Sequence, residues 1–208
     1  MNLEELGRRF ARVATNVAVR SPRLFRPLRP LMRVQFDRLA GRWDTMRSEG
    51  AFAPYEAGLE RIEPPVRALD VGTGTGEGAL AIARRFSEAA VVGVDIAEGM
   101  LLRAREKVPP ELAGRVSFQI ADAAKLPFSD ESFDLVAHGN MIPFFDEIGR
   151  VLAPGGWALF AFSSGPDTPI YVAGERLRTE LRQRGFTDFA EISAGAGNAL
   201  VARKRAAA

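Results

Sequence analysis

From residue 66 onward, short apolar runs alternate with segments whose apolar positions recur every three or four residues. Runs of the first kind read as strands and segments of the second as amphipathic helices. Residues 66–71 (VRALDV) predict a strand, and residues 78–86 (GALAIARRF) a helix behind a glycine cluster. Residues 90–95 (AVVGVD) and 97–108 (AEGMLLRAREKV) repeat the pair. Further strands are predicted at 116–122, 133–139 and 157–163, with a helix at 147–152 that ends at Pro154-Gly155-Gly156. An amphipathic helix over 171–185 stops at Gly185, and strands 186–193 and 199–204 are joined by AGAGN as a hairpin-like return. This alternation predicts an α/β fold, a mostly parallel sheet covered by helices on both faces.

The first 60 residues follow a different pattern. Leu3, Leu6, Phe10, Val13 and Val17 form a helical stripe, which Pro22, Pro27 and Pro30 interrupt. A second helical stretch covers 31–40, Gly41 offers a stop, and Pro64-Pro65 punctuates the approach to the first strand. The organisation expected is a helical N-terminal arm or lid over 1–60 and a main domain over 61–208. The length of 208 residues suits one α/β domain with an extension, and 47% hydrophobic with 26% charged residues excludes a disordered or fibrous chain. With no cysteine, disulfides, thiolate metal sites and cysteine nucleophiles are excluded. A single histidine, His138, excludes a multi-histidine metal site, so no metal is expected. No apolar run reaches the roughly 20 residues that span a bilayer, and the first residues lack a signal-peptide pattern, so a cytoplasmic location is expected.

Charge alters that picture in one respect. The net charge is +2, yet residues 1–47 carry 11 arginines against Glu4, Glu5, Asp37 and Asp44, a local charge of +7 on a body of −5. Such an arm either docks on its own acidic body or meets an anionic partner such as a membrane surface. Its aromatics (Phe10, Phe25, Phe36) are too few for a stacking platform, so no nucleic acid is expected as a partner. An oligomer stays open.

The chemistry concentrates at Asp70-Val71-Gly72-Thr73-Gly74-Thr75-Gly76, directly after the first predicted strand. Glycines there let the chain turn sharply and let a ligand approach the backbone, and the next helix starts with free N–H groups. Taken alone, this turn would also suit a nicotinamide cofactor, another nucleotide, or mere tight packing. Asp70, Asp95 and Asp122 then close the first three predicted strands in turn. A carboxylate at Asp95 can accept two bonds from ribose hydroxyls at the switch point of the sheet. One at Asp122 could meet an adenine amino group.

Residues 66–204 resemble a class I S-adenosylmethionine-dependent methyltransferase. DVGTGTGEG is similar to the family's glycine motif, VVGVDIAEGML to its second-strand acid motif, ADAAKLPFSDESFDLV to its adenine-side motif, and RVLAPGG to the turn before the fifth strand. Residues 36–44 (FDRLAGRWD) also resemble the pre-domain motif of the quinone-biosynthesis-allied, small-molecule group, where an aromatic helps cover the cofactor. The resemblance implies a Rossmann-like, doubly wound sheet of seven strands with the last antiparallel. It also implies S-adenosylmethionine as cofactor, S-adenosylhomocysteine as product and a small-molecule methyl acceptor. It would put Asp70, Gly72, Thr73 and Gly74 at the methionine half, Asp95 at the ribose, and Ile96 with Met100 on the apolar side of adenine. Asp122 and Ala123 would read the adenine edge, with His138, Gly139 and Asn140 beneath the sulfonium and Trp43 over the cofactor.

The chain departs from the family pattern after the fourth strand. The position where small-molecule relatives carry a histidine is Pro143, the segment 138–150 is short, and nothing is inserted between Phe162 and Tyr171. The acceptor pocket is therefore expected to be built largely from residues 1–60, or else to be unusually open. His138 is the natural candidate base because its unperturbed pKa lies near 6.5, but the reading preferred is a buried strand-end residue that contacts cofactor or backbone. Asp146, Glu147, Tyr55 and Tyr171 are weaker candidates, and no catalytic residue is assigned. Two other readings stand beside methyl transfer: a cofactor-binding protein without catalysis, and a nicotinamide-dependent oxidoreductase.

Overall fold

The computed structural model describes residues 29–46 and 48–206, and upstream of them Arg12, Val13, Thr15, Val17, Val19 and Pro27. Val13 and Val17 of the N-terminal stripe are helical, whereas Leu3, Leu6 and Phe10 lie outside the described residues. The first element with described bounds is helix α1 (Arg29–Leu39), which runs into short 3-10 turns at Ala40–Arg42 and Asp44–Met46. Helix α2 (Ala53–Leu59) follows and leads to strand β1 (Arg67–Val71). Then come α3 (Glu77–Arg85), β2 (Ala90–Asp95), α4 (Glu98–Glu106), β3 (Val116–Ile120) and β4 (Phe133–Gly139). The chain closes with α5 (Phe145–Val151), β5 (Leu152–Phe162), α6 (Gly174–Arg182), β6 (Phe186–Ala194) and β7 (Gly197–Lys204).

The seven strands form one sheet in the order β3-β2-β1-β4-β5-β7-β6. All neighbours are parallel except β7, which runs antiparallel to both β5 and β6. Parallel strands are buried on both faces, and that explains why β1 and β4 read as nearly unbroken apolar runs rather than as alternations. One face, with Leu69, Val136 and Phe160, packs on Phe145 and Ile148 of α5 and Leu177 and Leu181 of α6. The other, with Ala68, Leu135 and Leu159, packs on Ala79 and Ile82 of α3 and on Tyr55 and Leu59 of α2. Strand order reverses between β1 and β4, so the crevice at their carboxyl ends is the natural ligand site of the fold.

Two segments differ from the sequence expectation. The last parallel strand was expected from Trp157, but β5 begins at Leu152 directly after α5. Pro154-Gly155-Gly156 is absorbed as an irregularity in the pairing, where the register shifts between Phe133 and Leu135 and Gly155 takes φ 79°. The second concerns α2, which lies within the stretch read as an arm yet is part of the core. Tyr55 and Leu59 are each only 2% exposed. A Cβ on Gly58 would fall 2.3 Å from Leu159 Cδ1, so glycine is what lets α2 sit this close to β5.

Since α2 is part of the core, Leu59→Ala should lower the unfolding free energy of the whole domain by about 2–5 kcal/mol. Urea unfolding followed by both fluorescence and circular dichroism checks this. The expected result is one coincident transition at a lower midpoint; a separate early transition would mean that α2 is only a loosely attached part of the arm.

Candidate functional site

The turn after β1 is shaped by its contacts with β2. Gly72 and Thr73 both donate their N–H groups to the Val94 carbonyl, at 2.8 and 2.9 Å. Gly72 takes φ 71°, and a Cβ there would lie 2.7 Å from Met141 Sδ; Gly74 takes φ 54° and faces the Trp43 indole. Both positions need glycine for backbone conformation, and Gly72 needs it for space as well. Asp95, at the end of β2, accepts the Gly74 N–H on one oxygen and the Ala97 N–H on the other, each at 2.9 Å. One carboxylate thus joins the turns after β1 and β2.

Asp70 lies beneath this loop and is buried. Its Oδ1 accepts the Tyr55 hydroxyl at 2.7 Å, while Oδ2 has no protein partner among the described residues. A Cβ on Gly78 would lie 2.5 Å from that second oxygen, so α3 leaves room for the carboxylate only as glycine. Burial raises the Asp70 pKa, and the nearby Thr73 hydroxyl, then the Tyr55 hydroxyl and the Ala79 amide, work against that rise. The tyrosine is shifted well above its ordinary value by burial and then by the Asp70 charge, so it stays a neutral donor. Burial also raises Asp95, with the Ala97 and Gly74 amides opposing.

These groups line a cavity of about 400 Å³ at the carboxyl ends of the strands, within the size range of small-molecule sites. Trp43, Asp70, Gly72, Thr73, Gly74, Asp95, Ile96, Met100, Asp122, Ala123, Gly139 and Asn140 all contribute to its wall. Asn140 is fixed by a reciprocal pair with Ser163, whose N–H it accepts at 2.9 Å and whose hydroxyl oxygen accepts its amide at 3.1 Å. His138 is the exception among the expected residues. Strand alternation turns its imidazole to the opposite face of β4, where it stacks on Phe160 at 5.2 Å with the rings parallel to 1°. Neither ring nitrogen has a partner among the described residues, and burial lowers its pKa to about 3. It lines no part of the cavity, and this geometry does not suit a general base. Asp146 and Glu147 are also outside the wall, held by Arg184 and Arg150 respectively, and Tyr171 packs edge-on against Phe162.

The arm supplies Phe36, within the 36–44 motif, and further wall residues, Met32, Met46 and Phe52, that carry no distinctive signal in the sequence. Met32 and Phe36 come from α1, Met46 follows Trp43, and Phe52 stacks on Tyr55 at 4.6 Å. Met141 and Phe144 enter from the loop after β4. Four of the five methionines of the chain, Met32, Met46, Met100 and Met141, face this one space. The arm is fastened by Asp37, which accepts the Gly99 N–H at 2.8 Å, and by Asp44, which accepts the Thr75 hydroxyl at 2.6 Å. Arg29 forms an ion pair with Asp122, so an arginine of the basic arm does meet an acid of the body. Among the described residues no group of acids and histidine could hold a metal, and no helix is long and apolar enough to cross a membrane.

Comparison with known proteins places this geometry in context. A family model described as "Methyltransferase domain" matches residues 68–156. The chain is 42% identical over 114 residues to a ubiquinone/menaquinone biosynthesis C-methyltransferase of Geobacter sulfurreducens, covering 50% of this chain and 44% of that protein. It is 33% identical over 190 residues to a malonyl-[acyl-carrier protein] O-methyltransferase of Methylovorus sp., covering 82% of this chain and 61% of the relative. The chain therefore spans less than two thirds of the curated relatives it matches. In fold it resembles the methyltransferase solved with the Haloferax volcanii Trm112 activator, with a TM-score of 0.69 at 19% identity over 82% of this chain and 97% of that one.

His138 makes a distinct prediction for stability. Its folded pKa lies near 3 and its unfolded pKa near 6.5, so between these values the unfolded chain binds the extra proton and stability falls as pH falls. Above about pH 7 the effect vanishes. Because its nitrogens have no partners to lose, His138→Leu should fold, match the parent at pH 8, and show a shallower loss of stability between pH 6 and 4. Urea titrations across that range check it, and parallel curves would contradict it.

Proposed function

We propose, from the methyltransferase-domain match and the curated methyltransferase relatives, that the chain is a class I S-adenosylmethionine-dependent methyltransferase, and that it methylates a small, largely apolar acceptor held between the strand ends and the arm. S-adenosylmethionine supplies a methyl group already activated on a sulfonium. The observation that carries the reading is a set of buried polar atoms on the cavity wall without protein partners among the described residues: Asp70 Oδ2, Thr73 Oγ1 and Trp43 Nε1. Buried polar groups of this kind are expected to meet a ligand or water. In this reading Asp70, Gly72, Thr73 and Gly74 hold the methionine end of the cofactor. Asp95 receives the ribose hydroxyls, Ile96 and Met100 flank the adenine, and Asp122 with Ala123 borders its edge. Gly139 and Trp43 close the remaining sides.

What the chain contributes to catalysis is positioning. Holding two reactants in line can supply roughly 7–11 kcal/mol of a barrier. Tyr55 is a fixed donor to Asp70, and His138 lies outside the wall, so the reading assigns proton abstraction to neither. The acceptor space is bounded by Met32, Phe36, Met46, Phe52, Met141 and Phe144, and this apolar boundary supports an acceptor with little charge. Residues 29–46 act as the lid in this reading and exclude water from the sulfonium, while α2 is a fixed wall.

Calorimetry with S-adenosylhomocysteine tests the reading. Binding to the unaltered chain is expected, and Asp95→Ala should weaken it by about tenfold to a hundredfold, since a hydrogen bond to a charged group contributes about 1.5–3 kcal/mol. Tight NADH binding with no S-adenosylhomocysteine binding would overturn it. A second measurement addresses Tyr55. Asp70 must be ionised to face the cofactor's ammonium group, and Tyr55→Phe removes a hydrogen bond that favours ionisation, so the Asp70 pKa should rise further. Cofactor binding should then fail at a higher pH in the variant than in the parent as pH is lowered from 8 to 5. Superimposable binding profiles would show that Tyr55 does not tune Asp70.

A further inference from the structure

We propose that Arg29 is a positioning residue of the cofactor site, coupling the arm to the adenine end of the cavity through Asp122 and Phe144. The proposal rests on the methyltransferase reading above but adds a residue lying 93 positions from its partner and outside the matched family segment. Arg29 opens α1, and its guanidinium forms an ion pair with Asp122 Oδ2. The other Asp122 oxygen accepts the Ala124 N–H at 3.0 Å. The guanidinium carbon also stands 5.9 Å from the centroid of the Phe144 ring, in the loop after β4. Arg29, Asp122 and Phe144 all line the same cavity. One side chain therefore touches the arm, the end of β3 and the loop after β4.

The chemistry of the pair gives it consequences for a ligand. The guanidinium is a permanent donor with no acceptor of its own, and here one of its N–H groups is committed to Asp122 Oδ2. The two side chains are 17% and 34% exposed, so the pair is screened less than a fully solvated one. The Arg29 Nε–H is buried and has no partner among the described residues, leaving a donor at the cavity wall beside the carboxylate. The other side-chain fastenings of residues 29–46, from Asp37 to Gly99 and from Asp44 to Thr75 and Lys107, lie at or beyond the opposite end of α1. Arg29 thus holds the amino-terminal end of α1, the end that carries Met32 toward the cavity. A ligand ordered against Asp122 favours the closed arm, and by reciprocity the closed arm favours the ligand.

The test uses the full chain and S-adenosylhomocysteine, with Arg29→Met, Arg29→Lys, Asp122→Asn and the Arg29→Met/Asp122→Asn double variant. Calorimetry gives the affinities, thermal melting of the free proteins gives stability, and hydrogen exchange over residues 29–40 gives arm protection with and without ligand. Arg29→Met should weaken binding by about fivefold to thirtyfold, with Arg29→Lys recovering part of the loss. The double variant should lose less than the product of the two single losses, and ligand-induced protection of 29–40 should disappear in Arg29→Met. A merely structural role would lower the melting midpoint without producing that non-additivity. Affinity within about twofold of the parent in both Arg29 variants, or losses that multiply, overturns the proposal and leaves the methyltransferase reading standing. Failure of the unaltered chain to bind S-adenosylhomocysteine overturns both.

Discussion

Asp95 receives backbone N–H groups from Gly74 and from Ala97, and so fixes the turns after β1 and β2 to one carboxylate. Everything in the cavity is placed relative to this anchor. The loop at 72–74 can fold over the strand end only because glycine accepts the left-handed backbone there, and because Val94 offers a carbonyl to two successive amides. A parallel sheet turns all of its carboxyl ends to one side, so Asp70, Asp95 and Asp122 arrive together although 52 residues separate the first from the last. Each acid then meets a different neighbour, and those neighbours set what it can do. Asp70 faces a tyrosine hydroxyl, Asp95 two amides, and Asp122 an arginine and one amide.

The N-terminal segment is divided by its packing. Residues 29–46 lie against α4 and the glycine loop through directional bonds at Asp37 and Asp44 and through the packing of Phe36 and Trp43 with Ala97 and Met100. Helix α2 is held by burial against β5 and β7, an undirected but larger contribution. Helix α2 thereby holds Tyr55 against Asp70. The charge of the arm plays a smaller part than its magnitude suggests. Alongside Arg29, Arg12 donates to the Pro166 carbonyl, and the other fastenings run from the arm's own acids, Asp37 and Asp44, to donors of the body.

What could be read from the sequence was local. The strand–glycine turn–helix unit at 66–86, the acids closing β1 and β2, and the hairpin at 186–204 are each specified within a few residues, and all form as expected. Arg29–Asp122 and Tyr55–Asp70 are different in kind. Nothing distinguishes Arg29 among the arginines of the arm, and only the folded path brings it to β3. Proximity along the chain was misleading at His138. It sits beside Gly139 and Asn140, which do face the cavity, but the two-residue period of β4 points its ring to the other side with Val136. Applying that period to Val136 and His138 would have separated the histidine from the site. The early start of β5 was hidden by Pro154-Gly155-Gly156, which reads as a turn but is tolerated in the pairing as an irregularity.

The methionines around the cavity carry a consequence in redox chemistry. Thioethers are oxidised to polar sulfoxides at rates that follow their access to solvent. Met46 is 61% exposed and Met100 only 1%, with Met32 and Met141 between them. A mild oxidant should therefore work inward from the arm toward the strand ends and turn a soft apolar wall polar step by step. The order in which the four sulfurs react is a built-in measure of how far the chamber opens.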